Sequence, residues 1–179
     1  MDTPLKNLAV IGAGAMGSGI AALFASKGLN IVLIDPMEGA LDRARAVIDR
    51  QLNVYAPTQV QEALQRIRME PGLEAAANCE LVIEAVPENL ELKRGIFAKL
   101  DALCAPHTLF ATNTSGLSIN AIASAVARRD RFVGTHFFTP ADVIPLVEVV
   151  RNDDTSEATV AQVMATLRFA GKRPVLVRQ

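Results

Sequence analysis

A doubly wound α/β fold, a mostly parallel sheet with helices on both faces, is what this sequence predicts, and three observations predict it. Short, uniformly apolar runs recur at Leu8–Ile11, Ile31–Ile34, Leu81–Val86, Thr108–Thr112 and Phe132–Thr135. Runs of this kind are strands covered on both faces, because a strand with one wet face alternates apolar with polar residues. The segments between them carry apolar residues at helical spacing, which gives the βαβα alternation and right-handed crossovers of an α/β sheet. A glycine-rich turn, Gly12-Ala13-Gly14-Ala15-Met16-Gly17, joins the first strand to the first helix.

Taken in order, Leu8–Ile11 ends in glycine and the period then changes. Ile20, Leu23 and Phe24 fall on one helical face, Ser26 and Lys27 on the other, and Gly28 supplies the stop. Ile31–Ile34 is the second strand and ends at Asp35. A long helix follows from about Gly39 to Tyr55, broken at Pro57, then a polar helical piece from Gln59 to Leu64, then an exposed edge strand over Arg66–Glu70. The helix after Leu81–Val86 places Leu92, Ile96, Leu100 and Leu103 on one stripe. Thr108–Thr112 leads to a short helix near Ile119 to Val126, and Phe132–Thr135 leads to a further strand over Pro145–Val150. Asp154-Thr155-Ser156-Glu157 has the spacing of a capping box for a last helix with Val160, Val163, Met164 and Leu167 inward, and Pro174–Val177 reads as a final buried strand.

The 179 residues suffice for one well-cored domain. Eighteen basic against nineteen acidic side chains leave a net charge of −1, which excludes a protein built around nucleic acid or an anionic membrane. Cys79 and Cys104 stand in neither a CxxC nor a metal-ligand pattern. They are expected to be packed, reduced thiols in a cytoplasmic protein without a bound metal. The start, Met1-Asp2-Thr3-Pro4, lacks the positive charge of a signal peptide. No run approaches the roughly 18 apolar residues that cross a bilayer.

The glycine turn has a chemical reading. Gly12 permits the tight exit from the strand, Gly14 lets backbone approach a diphosphate, and Gly17 lets the helix pack close to the strand. The helix N-terminus then offers free N–H groups and the positive end of its dipole. Ala13, Ala15 and Met16 complete the wall of that turn. Asp35 ends the second strand, where a carboxylate accepts both hydroxyls of an adenosine ribose and repels a 2′-phosphate. The expected cofactor is therefore NAD, not NADP, in a Rossmann-type domain. The alternative is that Asp35 caps the helix after it.

Oxidation of a secondary alcohol needs a base for the hydroxyl proton while hydride leaves the same carbon. His136, just past an apolar strand end, has a side chain of the right kind. Glu148, in the apolar run of the next strand, can fix its tautomer and stabilise the imidazolium. A carboxylate in so apolar a strand is paired if it faces inward and merely solvated if it faces outward. The alternatives for the others are a packed His136 bonded to backbone and a Ser115 that only helps form its turn. His107 has no motif around it and belongs in a surface loop.

Four separated stretches resemble the 3-hydroxyacyl-CoA dehydrogenase family. They are Val10 to Asp35, Glu84-Ala-Val-Pro-Glu-Asn-Leu-Glu-Leu-Lys93, Thr112-Asn-Thr-Ser115, and His136-Phe-Phe-Thr-Pro140 followed by Pro145-Leu-Val-Glu148. The resemblance implies an NAD-dependent oxidation of a 3-hydroxyacyl-CoA, as in fatty acid β-oxidation. His136 and Glu148 fall on the family's catalytic pair, Ser115 contacts cofactor and substrate, and Glu88 and Lys93 lie beside the cofactor. It also implies a second, helical domain after Gln179 that completes the substrate cleft and builds a homodimer, so that this chain alone turns over poorly.

Three departures qualify the likeness. Thr139 stands where the family has asparagine three residues after the histidine, and a hydroxyl cannot bridge two groups as an amide does. Thr114-Ser115-Gly116 replaces Thr-Ser-Ser. The stretch from Asp35 to Glu84 is shorter than in mitochondrial-type members, whose helical hairpin helps hold coenzyme A. A free 3-hydroxy acid dehydrogenase of the carnitine or gulonate type is the nearest alternative, and a non-catalytic, crystallin-like NAD-binding protein is the other.

Overall fold

The computed structural model describes residues 4–177; the first three residues, on which the signal-peptide reading partly rests, and the last two lie outside the described residues. Eight strands form one sheet in the order β3-β2-β1-β4-β5-β6-β7-β8. They are β1 (Asn7–Ile11), β2 (Asn30–Ile34), β3 (Ile67–Glu70), β4 (Leu81–Glu84), β5 (Leu109–Thr112), β6 (Phe132–Phe137), β7 (Leu146–Arg151) and β8 (Arg173–Val177). The first six are parallel. β7 runs antiparallel to β6, and β8 parallel to β7. The helices are α1 (Ala15–Ser26), α2 (Ala40–Tyr55), α3 (Val60–Gln65), α4 (Leu90–Leu103), α5 (Ile119–Ala123) and α6 (Glu157–Phe169). The chain winds outward from β1 to β3 and returns beside β1 as β4, so the crevice between β1 and β4 is where such sheets take their ligands.

The period of two along each strand builds two cores. On β1, Leu8 and Val10 face one core with α1, α2, α3 and α6, whereas Ala9 and Ile11 face the other with α4 and α5. Phe97 centres the second core, its ring 5.8 Å from Phe110 and 4.7 Å from Phe132. The first pair is tilted and the second edge-on, and aromatic pairs at such distances add about 0.5–1.5 kcal/mol to the area buried.

The structure corrects three expectations. The inward face of α4 is Lys93, Phe97 and Leu100, and Leu92 and Leu103 of the expected stripe are exposed. The helix is turned so that Phe97 meets the sheet and Lys93 reaches beneath the end of β4. Helix α1 keeps Ile20, Leu23 and Phe24 buried and Lys27 exposed as expected, and is buried throughout from Gly17 to Ala25, because α2, α3 and the β6–β7 connection cover the side away from the sheet. The cap of α6 is Ser156, whose hydroxyl accepts from the Thr159 amide, and Glu157 pairs with Arg151 instead of closing a box on Asp154. Finally, β8 is not buried; it is the sheet's edge, with Val175 and Leu176 open to solvent. The remaining elements lie within a few residues of their expected places.

Cys79 and Cys104 are free and buried, and burial pushes both thiols up to about 11, so they stay protonated, inert packing groups. His107 is exposed in the turn before β5, where its carbonyl accepts from Arg131. Among the described residues no helix is long and apolar enough to cross a membrane, and no group of three or more His, Cys, Asp or Glu is placed to hold a metal ion.

A candidate dinucleotide and alcohol site at the strand ends

The glycine turn leaves β1 with Gly12 in the left-handed region, φ +101°. A Cβ there would lie 2.8 Å from the Ala85 carbonyl oxygen, so the turn hugs the exit of β4 across the crevice. At Gly17 a Cβ would stand 1.8 Å from the carbonyl oxygen of Gly12 itself. No side chain larger than hydrogen lets α1 start so close to β1. At Gly14 the same test finds nothing within 4 Å, and Gly14 and Ala15 are exposed. Backbone is thus bared toward open space at the N-terminus of α1, which has no side-chain cap and no acid in its first turn. Those amides and the dipole fit the diphosphate of a dinucleotide.

Asp35 follows β2. Its Oδ2 accepts from the amide of the buried Ala13 at 2.8 Å, and its Oδ1 from Met37 at 2.9 Å. It does not cap α2, whose N-cap is Gly39 without a side-chain bond. Each carboxylate oxygen keeps a lone pair for a hydroxyl donor. The carboxylate is therefore both a brace for the glycine turn and an acceptor beside it.

Past the ends of β4 and β5 lies a network that the sequence motifs brought together without showing its layout. Glu84 and Lys93 are fully buried and paired, Nζ to Oε1 at 2.7 Å. Glu84 also accepts from the Val86 amide at 2.7 Å and, at its other oxygen, from the Thr112 hydroxyl at 2.6 Å. The Lys93 ammonium donates in addition to the Val86 carbonyl at 3.1 Å and lies 3.5 Å from Glu88. Glu88 in turn accepts from the Thr114 hydroxyl and from the amides of Ser115 and Gly116, both at 3.1 Å. Burial pushes the Glu88 carboxyl up, but these hydrogen bonds and the Lys93 charge outweigh it and hold the group below the ordinary carboxylate range. Lys93 thus acts from beneath, through Glu88, on the Thr114–Gly116 turn. The Ser115 hydroxyl is exposed, 3.5 Å from Glu88.

His136 and Glu148 are direct partners in the antiparallel register of β6 and β7, with Nδ1 2.9 Å from Oε2. A carboxylate only accepts, so Nδ1 is the donor in this pair, which leaves the other ring nitrogen, Nε2, outside it. Glu148 is part-exposed yet paired, which decides between the two orientations open to it. The Asn113 side-chain oxygen accepts from the Phe137 amide at 2.9 Å and ties the end of β5 to that of β6. Thr139, in place of the expected amide, turns its hydroxyl to the Met16 sulfur at 3.0 Å.

Asp35, the glycine turn, Glu88, Ser115 and His136 therefore stand at the carboxyl ends of five adjacent strands. At about 4.8 Å per strand they span about 19 Å, room for a dinucleotide laid across the crevice. Two members of this site escape a reading of the sequence as individual residues: Glu84 and Asn113. Both have a signal, a carboxylate inside the apolar run Leu81–Val86 and an amide directly after a buried strand.

The chain is similar to proteins already known. The model of the family described as 3-hydroxyacyl-CoA dehydrogenase, NAD binding domain, matches residues 7–179. The human mitochondrial hydroxyacyl-coenzyme A dehydrogenase is 38% identical over 96% of this chain and 58% of its own length. A probable 3-hydroxybutyryl-CoA dehydrogenase of Bacillus subtilis is 39% identical over 97% of this chain and 62% of its own. The crystal structure of 3-hydroxybutyryl-CoA dehydrogenase from Escherichia coli K12 superposes with a TM-score of 0.94 at 39% identity, covering 98% of this chain and 39% of that one. The chain thus spans about three fifths of the length of these curated relatives. With that match laid over the glycine turn, Asp35 and the strand-end residues, the chain belongs to the 3-hydroxyacyl-CoA dehydrogenase family and forms its NAD-binding domain.

Proposed function

We propose that this domain serves the NAD-dependent oxidation of a 3-hydroxyacyl-CoA, or a related 3-hydroxy acid, to the 3-keto compound. The observation that carries this reading is the His136–Glu148 pair at 2.9 Å on the strand ends beside the NAD-binding turn. His136 takes the hydroxyl proton at Nε2, and Glu148 holds the ring in that tautomer and stabilises the imidazolium. Ser115 hydrogen-bonds the substrate oxygen, while Asp35 holds the adenosine ribose and Glu88, braced by Lys93, borders the cofactor. NAD, when bound, supplies the hydride acceptor. A second, helical domain closes the substrate cleft from the other side, and the working protein is a cytoplasmic homodimer.

A second reading, oxidation of a free 3-hydroxy acid, is favoured by two features. Only Ala56–Gln59 connects α2 to α3, and Thr139 replaces the amide. The deciding experiment follows NADH formation by the full-length protein with 3-hydroxybutyryl-CoA, 3-hydroxybutyrate, carnitine and gulonate. Turnover of the CoA ester supports the first reading and turnover of free acids alone the second. Tight NAD binding without any turnover overturns both.

Asp35 gives a separate prediction. NADP(H) binds more weakly than NAD(H) by several kcal/mol, the cost of setting like charges side by side in an interface. Fluorescence titration of NADH and NADPH measures it, and equal affinities would remove Asp35 from the ribose site.

A further inference from the structure

The β6–β7 connection, residues 138–145, has no helix or strand of its own, yet it separates His136 from Glu148 and carries Thr139. One residue holds two of its carbonyls. The Lys172 ammonium donates to the carbonyls of Ala141 and Ile144, and the next amide, Arg173, donates to the Pro145 carbonyl at 2.8 Å. Lys172 follows Gly171, which turns the chain from α6 into β8 with φ +81°. On its other side the connection lies against α1, with Ala141 packed at Gly19 and Thr139 bonded to Met16.

Lys172 is 6% exposed and makes no ion pair among the described residues. Burial lowers its pKa; Asp142 on the connection works against that, and Lys27 at the end of α1 adds to it. An apolar side chain of the same length would leave the Ala141 and Ile144 carbonyls without this donor, and the Asp142 carboxylate, whose oxygens are buried without a hydrogen-bond partner, without its nearby cation. What only the ammonium supplies is a set of donors that pins two main-chain carbonyls at once.

We infer that Lys172 is a positioning residue. By clamping Ala141 and Ile144 it fixes the β6–β7 connection, and through it the facing of His136 with Glu148 and the seat of Thr139 against Met16. The kinetic consequence rests on the proposed function; the structural one does not.

The test compares Lys172→Met, Lys172→Arg and Lys27→Met. The chain has only two histidines, so the imidazole NMR lines of the NADH-bound chain report His136, with the exposed His107 as internal reference. Lys172→Met is expected to shift and broaden the His136 line and leave that of His107 in place, with NADH affinity unchanged. In the full-length enzyme it lowers kcat about 100-fold, the effect of misplacing a reacting group by about 1 Å. Lys172→Arg, whose planar fork cannot reproduce the ammonium's donor geometry, gives a smaller change of the same kind. Lys27→Met removes a cation from the same neighbourhood and changes neither readout. Should the methionine variant not fold, the arginine variant decides alone. A folded Lys172 variant with an unmoved His136 line and unchanged kcat overturns the inference, as do equal losses in His107 line position, NADH affinity and kcat. If the proposed reaction itself is wrong, wild type shows no turnover, and the NMR lines still decide whether the clamp positions His136.

Discussion

Replacing His136 by Gln lowers kcat of the full-length enzyme by about 10³–10⁴-fold, toward the upper end of what a positioned acid–base group contributes. NADH affinity stays as it was. The two effects separate because the groups are separate. In the proposed reading the dinucleotide meets the glycine turn, Asp35 and the Glu88 turn, whereas the imidazole, held by Glu148 at Nδ1, offers Nε2 to a substrate. Glutamine keeps polarity and approximate size but cannot take up a proton near neutrality. Steady-state kinetics with NADH titration of the same variant measure both numbers, and a variant that keeps its turnover ends the assignment of His136 as base.

Lys93→Met destabilises the fold by about 3–5 kcal/mol, the cost of leaving the other member of a buried ion pair uncompensated. Glu84 is fully buried, and the Val86 amide and Thr112 hydroxyl are hydrogen-bond donors without a full positive charge. Against a total stability of about 5–15 kcal/mol the loss is severe. At about 2–4 °C per kcal/mol for a domain of this size it lowers Tm by about 10 °C. The double variant Glu84→Leu/Lys93→Met recovers most of the loss, because two apolar side chains no longer need each other. Thermal melts of the two single variants and the double form the cycle, and strictly additive losses would show that the pair is not coupled. The same loss loosens Glu88, so NADH affinity falls with Lys93→Met in proportion to the unfolding of the Thr114–Gly116 turn, not through a missing cofactor contact.

How much of the fold and site is visible in the residues follows from what each pattern encodes. Strands sandwiched between two layers announce themselves by composition, and β1, β2, β4, β5 and β6 are all legible. The glycine turn and Asp35 are legible because their backbone demands admit few residue types. The inward face of α4 is not, since hydrophobic spacing alone prefers Leu92 to Lys93, and only the buried partner Glu84 makes a lysine an inward residue. Val175 and Leu176 read as buried because an apolar strand at a sheet's edge has the same composition as one in its middle. Glu148 stands out through its apolar neighbours, and its pairing with His136 through the family resemblance, but the orientation of its side chain is a tertiary fact. The cap of α6 lies two residues beyond the one its spacing suggests. Thr155 and Ser156 both suit that role, and Thr155 is engaged instead with Asn152 and Phe132.

The one reversed strand junction in the sheet bears on how such a site could arise. Because His136 and Glu148 face each other across β6 and β7, a single hairpin carries both, and the distant residue that must keep step with it is Lys172, which holds its connection. A slip of one residue in that register would send Glu148 to the opposite face of the sheet. Insertions in the connection are therefore tolerable where they preserve both this register and the Ala141 and Ile144 carbonyls on Lys172, and not otherwise. In a design setting, the pair could be moved onto another parallel sheet by grafting the hairpin, provided the recipient supplies a cofactor crevice on the neighbouring strands and a donor that holds the connection as Lys172 does.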